Sequence, residues 1–393
     1  MIAGAGRPAL LRRINETTVL ARLHEGGPLR LADLSDRTGV SRQTIAQVVA
    51  SLAAGGLVEY VEAGEAAEPG PRAPGRPARL VRLRPDAAHV VGIDIGPHRT
   101  LVVVADLAGD IVAEERGDSS GLTTRDEMID HVHARVAEAL ARAGVSRQTV
   151  RAVVAGTPGI VETEHGVVVK APDMPGWTSI DLADRLRPAF DCPVVVENDV
   201  NLAVLAERWR GHGRDAEIVV AVRWGGRVGA GILVGDRLLR GAHGAAGEVG
   251  FLPAGQGPSI GTASLGPFER RVGATAIAEL AGDDATPHDP GSATLAAARA
   301  GDPAALAVLD TIAARFVEGL APLILILDPG LVIIDGGVVR AGPPLLEAIE
   351  RHLQGRTLVR PALALSTLGD RAVALGAARL ALDDVEHRLF TVE

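Results

Sequence analysis

The apolar positions of this chain change their spacing repeatedly, and the changes mark out its elements. Between residues 30 and 56, Leu31, Leu34, Val40, Ile45, Val48, Val49 and Leu52 recur so as to lie on the facing sides of two short helices. Thr38-Gly39-Val40 separates them: Gly39 allows the positive φ of a tight turn, and Ser41 is a natural N-cap for the second helix. That spacing predicts a helix-turn-helix. Its second helix opens with Ser41-Arg42-Gln43-Thr44, with Gln47 one turn on, and so carries hydrogen-bonding side chains to where the base edges of a major groove would lie. Leu57 to Glu62 then alternates like a strand, and after a loop rich in Gly, Pro and Glu a second strand follows within Pro74 to Leu83. Strand, loop, strand after such a helix predicts a winged helix-turn-helix over residues 1–88.

Within the wing, Gly75-Arg76-Pro77 is an extended stretch around one guanidinium, a shape suited to a narrow, A·T-rich minor groove. Arg72, Arg79, Arg82 and Arg84 beside it predict a phosphate-facing surface, with Arg79 and Arg82 fixing register on the duplex.

Beyond residue 88 the pattern becomes that of buried strands. Val90 to Gly96 ends in an acid and a glycine, Thr100 to Asp106 and Ile111 to Ala113 follow, and 126–143 has one apolar helical face built from Met128, Ile129, Val132, Val136, Ala139 and Leu140. Val150 to Gly156 and Val194 to Val196 are further strands, the second leading into a helix from Val200 to about Arg210. The pattern then restarts with Ile218 to Val222, a glycine-rich hairpin across 225–231, and Ile232 to Val234. Helices are expected at 268–281, 293–300 and 303–327, a strand at Val332 to Gly337, and a last helix at 373–382. Two α/β lobes, 89–210 and 211–393, would face one another across a cleft.

Charge supports this division. Residues 1–88 hold 12 Arg against 9 Asp and Glu, whereas the rest holds 28 Lys and Arg against 40 Asp and Glu. A basic head on an acidic body fits DNA binding by the head alone. One cysteine, Cys192, excludes an intramolecular disulfide framework and weakens any thiolate zinc site. The N-terminus has arginines at 7, 12 and 13 and no apolar run behind them, so a cytoplasmic protein without signal peptide or membrane span is expected.

Five segments, in order, carry a resemblance: the winged head with its Gly-Arg-Pro linker, Gly92-Ile93-Asp94-Ile95-Gly96, Glu197-Asn198-Asp199-Val200-Asn201, Arg240 through Gly250, and Asp335-Gly336-Gly337. The chain resembles the ROK family (repressor, open reading frame, kinase), in particular its xylose-repressor and N-acetylglucosamine-repressor type. The resemblance implies an α/β fold in which the winged helix-turn-helix precedes a two-lobed, actin-like ATPase body of the ROK sugar-kinase kind. It also implies a homodimer or homotetramer on an inverted-repeat operator. In the family's kinases a sugar lies in the cleft with ATP beside it. The base that accepts the proton of the attacking hydroxyl maps to Asp199, Asn198 would hold neighbouring hydroxyls, and Asp173, Glu248 and Glu269 map to further sugar contacts. Asn198-Asp199 also suits the start of the helix that follows, as its N-cap.

The departures from the family are concentrated where phosphate and zinc would bind. The first hairpin reads Asp94-Ile95-Gly96-Pro97-His98-Arg99 where the kinases carry Gly-Thr-Lys after the first glycine, and Pro97 has no N–H to offer. The second carries Arg227 where a glycine lets backbone approach phosphate. Phe251 replaces the zinc-ligating histidine, and the cysteine triplet maps onto Pro258 to Glu269, which hold no cysteine. These departures predict no metal, no cofactor and no useful kinase activity. The expected function is a sugar-responsive transcriptional regulator, a repressor of carbohydrate genes, with a sugar or sugar derivative and double-stranded DNA as partners. An ATP-dependent sugar kinase with an appended head, and a regulator governed by a protein partner, are the alternatives.

Overall fold

The computed structural model describes residues 6–62, 79–171, 173–174, 176–254, 265–282 and 290–391. The head is built from α1 (Gly6–Gly26), α2 (Leu31–Thr38), α3 (Arg42–Ala54), β1 (Val58–Glu62) and β2 (Arg79–Leu83). Gly39 takes φ 70° at the turn, and Ser41 caps α3 by accepting from the Thr44 N–H at 3.2 Å. Val19, Leu20 and Leu23 of α1 close over Leu34, Ile45, Val48, Val49 and Leu52. That first helix is absent from the sequence reading, because its polar and apolar residues lack a strong helical stripe. β1 and β2 pair antiparallel, and Leu29 adds a short bridge to Val81. The Gly75-Arg76-Pro77 linker and Arg72 lie outside the described residues.

The body repeats one topology. β3 (His89–Ile95), β4 (Arg99–Asp106) and β5 (Ile111–Asp118) form an antiparallel meander, α4 (Arg125–Ala143) crosses over, and β6 (Val150–Thr157) returns parallel to β3. A three-stranded sheet of β7 (Ile160–Glu162), β8 (Val167–Lys170) and β9 (Ile180–Asp181), with α5 (Leu182–Leu186), leads to β10 (Val194–Asn198) and α6 (Asp199–Arg210). The first sheet thus has the order β10-β6-β3-β4-β5.

The second half follows with β11 (Ile218–Trp224), β12 (Val228–Val234), β13 (Arg237–Leu238), α7 (Pro267–Val272), α8 (Ala274–Ala281), α9 (Ser292–Arg299), α10 (Pro303–Leu327), β14 (Leu331–Asp335), α11 (Pro343–Leu353), β15 (Ala362–Leu365) and α12 (Ala372–Phe390). Its sheet has the mirrored listing β13-β12-β11-β14-β15, and therefore the same connectivity. α6 and α12 fill the space between the two sheets, with Leu202 and Val204 of one and Val373, Ala377 and Ala381 of the other in a common core. They touch because Gly376 has no Cβ; one added there would stand 1.8 Å from the Leu202 carbonyl oxygen.

Three expectations need correction. The helix expected over 268–281 breaks at Gly273, whose extended backbone (ψ 174°) separates α7 from α8. The third strand runs on to Asp118, since pairing with the whole of β4 holds it. The last helix continues to Phe390. Its extra turns carry Phe390 into contact with the head's core, where its ring lies tilted by 32° against His24 with 4.8 Å between centroids. α11 and β15 go unread in the sequence. Cys192 is half-buried against the first lobe's core, and burial pushes its thiol up to about 11, so it stays a thiol. Among the described residues no helix is long and apolar enough to cross a membrane.

Candidate functional site

Two places concentrate the predicted chemistry. On the head, α3 buries Ile45, Val48, Val49 and Leu52 and leaves Arg42, Gln43 and Gln47 exposed on its other side. Ser41 and Thr44 are turned toward each other, their hydroxyl oxygens 2.9 Å apart, so they start the helix and hold its first turn. Arg42 has no side-chain partner among the described residues, which leaves its fork available. The wing arginines differ from expectation. Arg82 is paired with Glu59 at 2.7 Å, and Arg79 lies 4.1 Å over the Tyr60 ring and opposite Glu62 in the ladder. Arg84 is tied to Asp86. The charges of Arg82 and Arg84 are thus partly neutralised before any phosphate arrives.

In the body, β10 delivers Asn198 and Asp199 to the start of α6. Asn198 Oδ1 accepts from the N–H groups of Val200 (3.0 Å) and Asn201 (3.2 Å), and its amide donates to the Gly159 carbonyl at 2.8 Å. Its N-cap role is therefore realised, and one amide hydrogen remains for a ligand. Glu197, which the sequence reading left unassigned, is 1% exposed. It accepts from Asn198 N–H, Asn201 and Arg240 and so anchors the whole segment. Asp199 keeps a partly exposed carboxylate facing Arg223, with 3.9 Å between Oδ2 and Nη1.

Around this pair the other expected contacts separate into two groups. Glu269 is 3% exposed and accepts from Gly266 N–H at 2.6 Å, Val228 N–H at 3.2 Å and Arg227 at 2.9 Å. As the third residue of α7 reaching back to Gly266, it closes that helix's N-terminus, and its three accepted bonds use most of its acceptor capacity. Asp173 is hydrogen-bonded to Arg227 as well. Arg227, expected to fill the phosphate approach, instead reaches between the lobes and joins Asp173 of the first to Glu269 of the second. Glu248 is the carboxylate left over. It has no hydrogen-bond partner among the described residues, and burial, with Asp199 and Glu269 nearby, pushes it up to about 7.

The first hairpin turn is closed on itself. Gly96 N–H donates to Arg99 at 2.9 Å, Ser119 hydrogen-bonds the carbonyls of Gly96 and His98, and Arg99 reaches back to within 3.6 Å of Asp94. Phe251 lies under Lys170, whose ammonium is 5.6 Å from the ring centroid. The segment 255–264, where most of the family's cysteine triplet would fall, lies outside the described residues.

Comparison with known proteins fits this geometry. The sequence profile of the ROK family matches residues 90–384, and that of the MarR family matches residues 12–67. The xylose repressor of Caldicellulosiruptor bescii is 24% identical over 97% of this chain and 98% of its own length. A glucokinase of Halalkalibacterium halodurans is 31% identical over 73% of this chain and 92% of its own length. A crystal structure of a ROK family transcriptional regulator, a homologue of the E. coli Mlc protein, superposes with a TM-score of 0.76 at 22% identity, covering 97% of this chain and 98% of that one. With the strands of both sheets and the start of α6 inside the matched span, the chain belongs to the ROK family.

Proposed function

We propose that this chain is a DNA-binding transcriptional repressor whose affinity for its operator is set by a sugar or sugar derivative in the body's cleft. One observation carries the reading: the likeness to the xylose repressor spans head and body together, whereas the likeness to the glucokinase leaves out about the length of the head. The head supports it by holding Arg42, Gln43 and Gln47 exposed on a capped helix, with the start of that helix free to enter a major groove. In the body, Pro97 offers no N–H, the Gly96 N–H is already bonded to the Arg99 carbonyl, and Arg227 is held by Asp173 and Glu269, which disfavours kinase activity. A two-fold assembly of the chain would place two heads on an inverted repeat.

Footprinting of the full chain on its own upstream DNA, with and without pentoses, hexoses and amino sugars, tests this reading. Protection of a paired site that one sugar abolishes is the expected result. A chain indifferent to every duplex, or turnover of ATP with a sugar that Asp199→Asn removes, would replace it with the kinase reading.

Glu248 gives the pocket a pH signature. A sugar hydroxyl that donates to its carboxylate needs the ionised form, so affinity is expected to rise with pH by up to about tenfold per unit until about 7 and then level off. The folded body shows the opposite sign. Because Glu248 holds its proton more tightly folded than unfolded, its contribution to stability falls as pH rises from the ordinary carboxylate range through about 7. Calorimetric titration across that range checks the first effect, and Glu248→Gln should flatten the profile. An affinity that does not change with pH would remove Glu248 from the pocket.

A further inference from the structure

Where α6 ends, the body gathers positive charge that its own acids do not fully meet. A cavity of about 600 Å3 opens there, between the last turn of α6, the turn joining β12 to β13, and α12. Four arginines line it, Arg208, Arg210 and Arg214 at the helix end and Arg379 on α12, against two acids, Asp236 and Asp383. The body as a whole runs the other way, since residues 89–393 hold 28 Lys and Arg against 40 Asp and Glu.

The four guanidinium groups divide into two kinds. Arg379 is paired with Asp383 and Glu386. Arg208 faces Asp236 at 3.5 Å and donates to the carbonyls of Gly213 (2.8 Å), Arg214 (3.0 Å) and Gly235 (2.7 Å), so it fixes both turns that wall the cavity. Arg210 donates to the Gly109 carbonyl and lies 4.1 Å from the centroid of the Trp209 ring, contacts that hold it in place without meeting its charge. Arg210 and Arg214 are both exposed, and neither has an ion pair among the described residues. Two unpaired planar forks on a fixed wall suit a phosphoryl dianion, which accepts parallel N–H bonds from each. The volume is that of a small-molecule site rather than of a groove for a nucleic-acid backbone. Arg210 already covers the Trp209 ring, with Arg379 5.7 Å from its centroid, so the wall offers charge more than a stacking face.

We propose that this cavity is a second effector site, taking a small phosphorylated molecule whose phosphoryl group is clasped by Arg210 and Arg214. It is separate from the cleft, because α6 has 12 residues and so about 18 Å of helix lies between the two. Its walls belong to the two helices that fill the space between the sheets, and α12 continues to Phe390 in the head's core. An anion here bears both on the helix that starts at the cleft and on the helix that touches the head. The inference does not depend on what the cleft or the head binds.

Trp209 makes the test direct. The chain has three tryptophans, and Trp177 and Trp224 are 1% and 0% exposed, so an anion at this wall reports through Trp209. Titration of the full chain with inorganic pyrophosphate at constant ionic strength should change tryptophan fluorescence saturably, with a Kd below about 1 mM. Arg210→Ala combined with Arg214→Ala should weaken binding at least about tenfold, and Trp209→Phe should remove the signal while equilibrium dialysis still finds one anion per chain. Both arginines are exposed, so the double variant is expected to fold; should it not, Arg214→Glu alone should give the same loss. No saturation up to about 10 mM overturns the proposal. So does equal affinity in the folded arginine variants, or a fluorescence change that survives Trp209→Phe. A double variant that loses affinity for non-specific duplex, beside a wild type that binds no pyrophosphate, would assign the arginines to DNA and overturn it as well.

Discussion

Arg42→Ala is expected to weaken binding to the specific operator by about 1–3 kcal/mol, roughly 5- to 150-fold, while leaving non-specific DNA binding nearly intact. The guanidinium stands exposed at the start of α3 with no partner among the described residues, so its donors are not committed elsewhere. Removing it disturbs no packing, and the melting temperature should stay within experimental error. Gln43→Ala should relax the preference at a different base of the same half-site by a comparable amount. Arg82→Gln is the internal contrast. Its charge is already met by Glu59 at 2.7 Å, so its loss should change the salt dependence of binding by less than one full phosphate contact. Fluorescence anisotropy on operator and scrambled duplexes at two salt concentrations measures all three. An Arg42→Ala chain that keeps its ratio of specific to non-specific affinity would show that α3 does not read bases.

Arg227→Gly, which restores the smaller residue of the family's kinases, should loosen the body. Glu269 is 3% exposed and would lose its charge partner while keeping the N–H groups of Val228 and Gly266. Removing one partner of a buried ion pair costs about 3–5 kcal/mol. Because Arg227 is 31% exposed and Asp173 is 42% exposed, solvent screens part of this, and a loss of about 1–3 kcal/mol is expected. Differential scanning calorimetry of wild type, Arg227→Gly, Glu269→Gln and the double variant gives the coupling. Strictly additive losses would mean that the two side chains do not cooperate. The same variant should widen the lobe separation seen by small-angle scattering and reduce the effect of a sugar on operator binding, because the lobes would no longer be joined through Asp173.

The helix-turn-helix was open to reading from sequence because everything that makes it is local. The apolar spacing of 31–52, a glycine at the turn and a serine at the cap act within a few residues, and Gly39 and Ser41 do what those residue types allow. The strands of the body were legible for the same reason: Val90 to Ile95 and Ile218 to Val222 are too apolar to lie anywhere but inside. α1 was missed because its packing face is defined by α3 and not by its own pattern. The length of β5 and of α12 was missed because pairing partners and the head's core, distant in the chain, hold their ends in place.

The candidate site divides along the same line. The family resemblance carried by the ordered motifs marked Asp173, Asn198, Asp199, Glu248 and Glu269 and pointed to the altered hairpins at Pro97 and Arg227. Only the tertiary structure decided which carboxylates are free. Glu269 is engaged by a helix end and an arginine, Asp173 by the same arginine, and Asn198 in large part by its cap, whereas Glu248 has no hydrogen-bond partner among the described residues. The tertiary structure alone brought Arg223 to Asp199. Charge pairing acts through space, and these groups meet because two repeated sheets fold face to face across α6 and α12, a proximity that no spacing along the chain encodes.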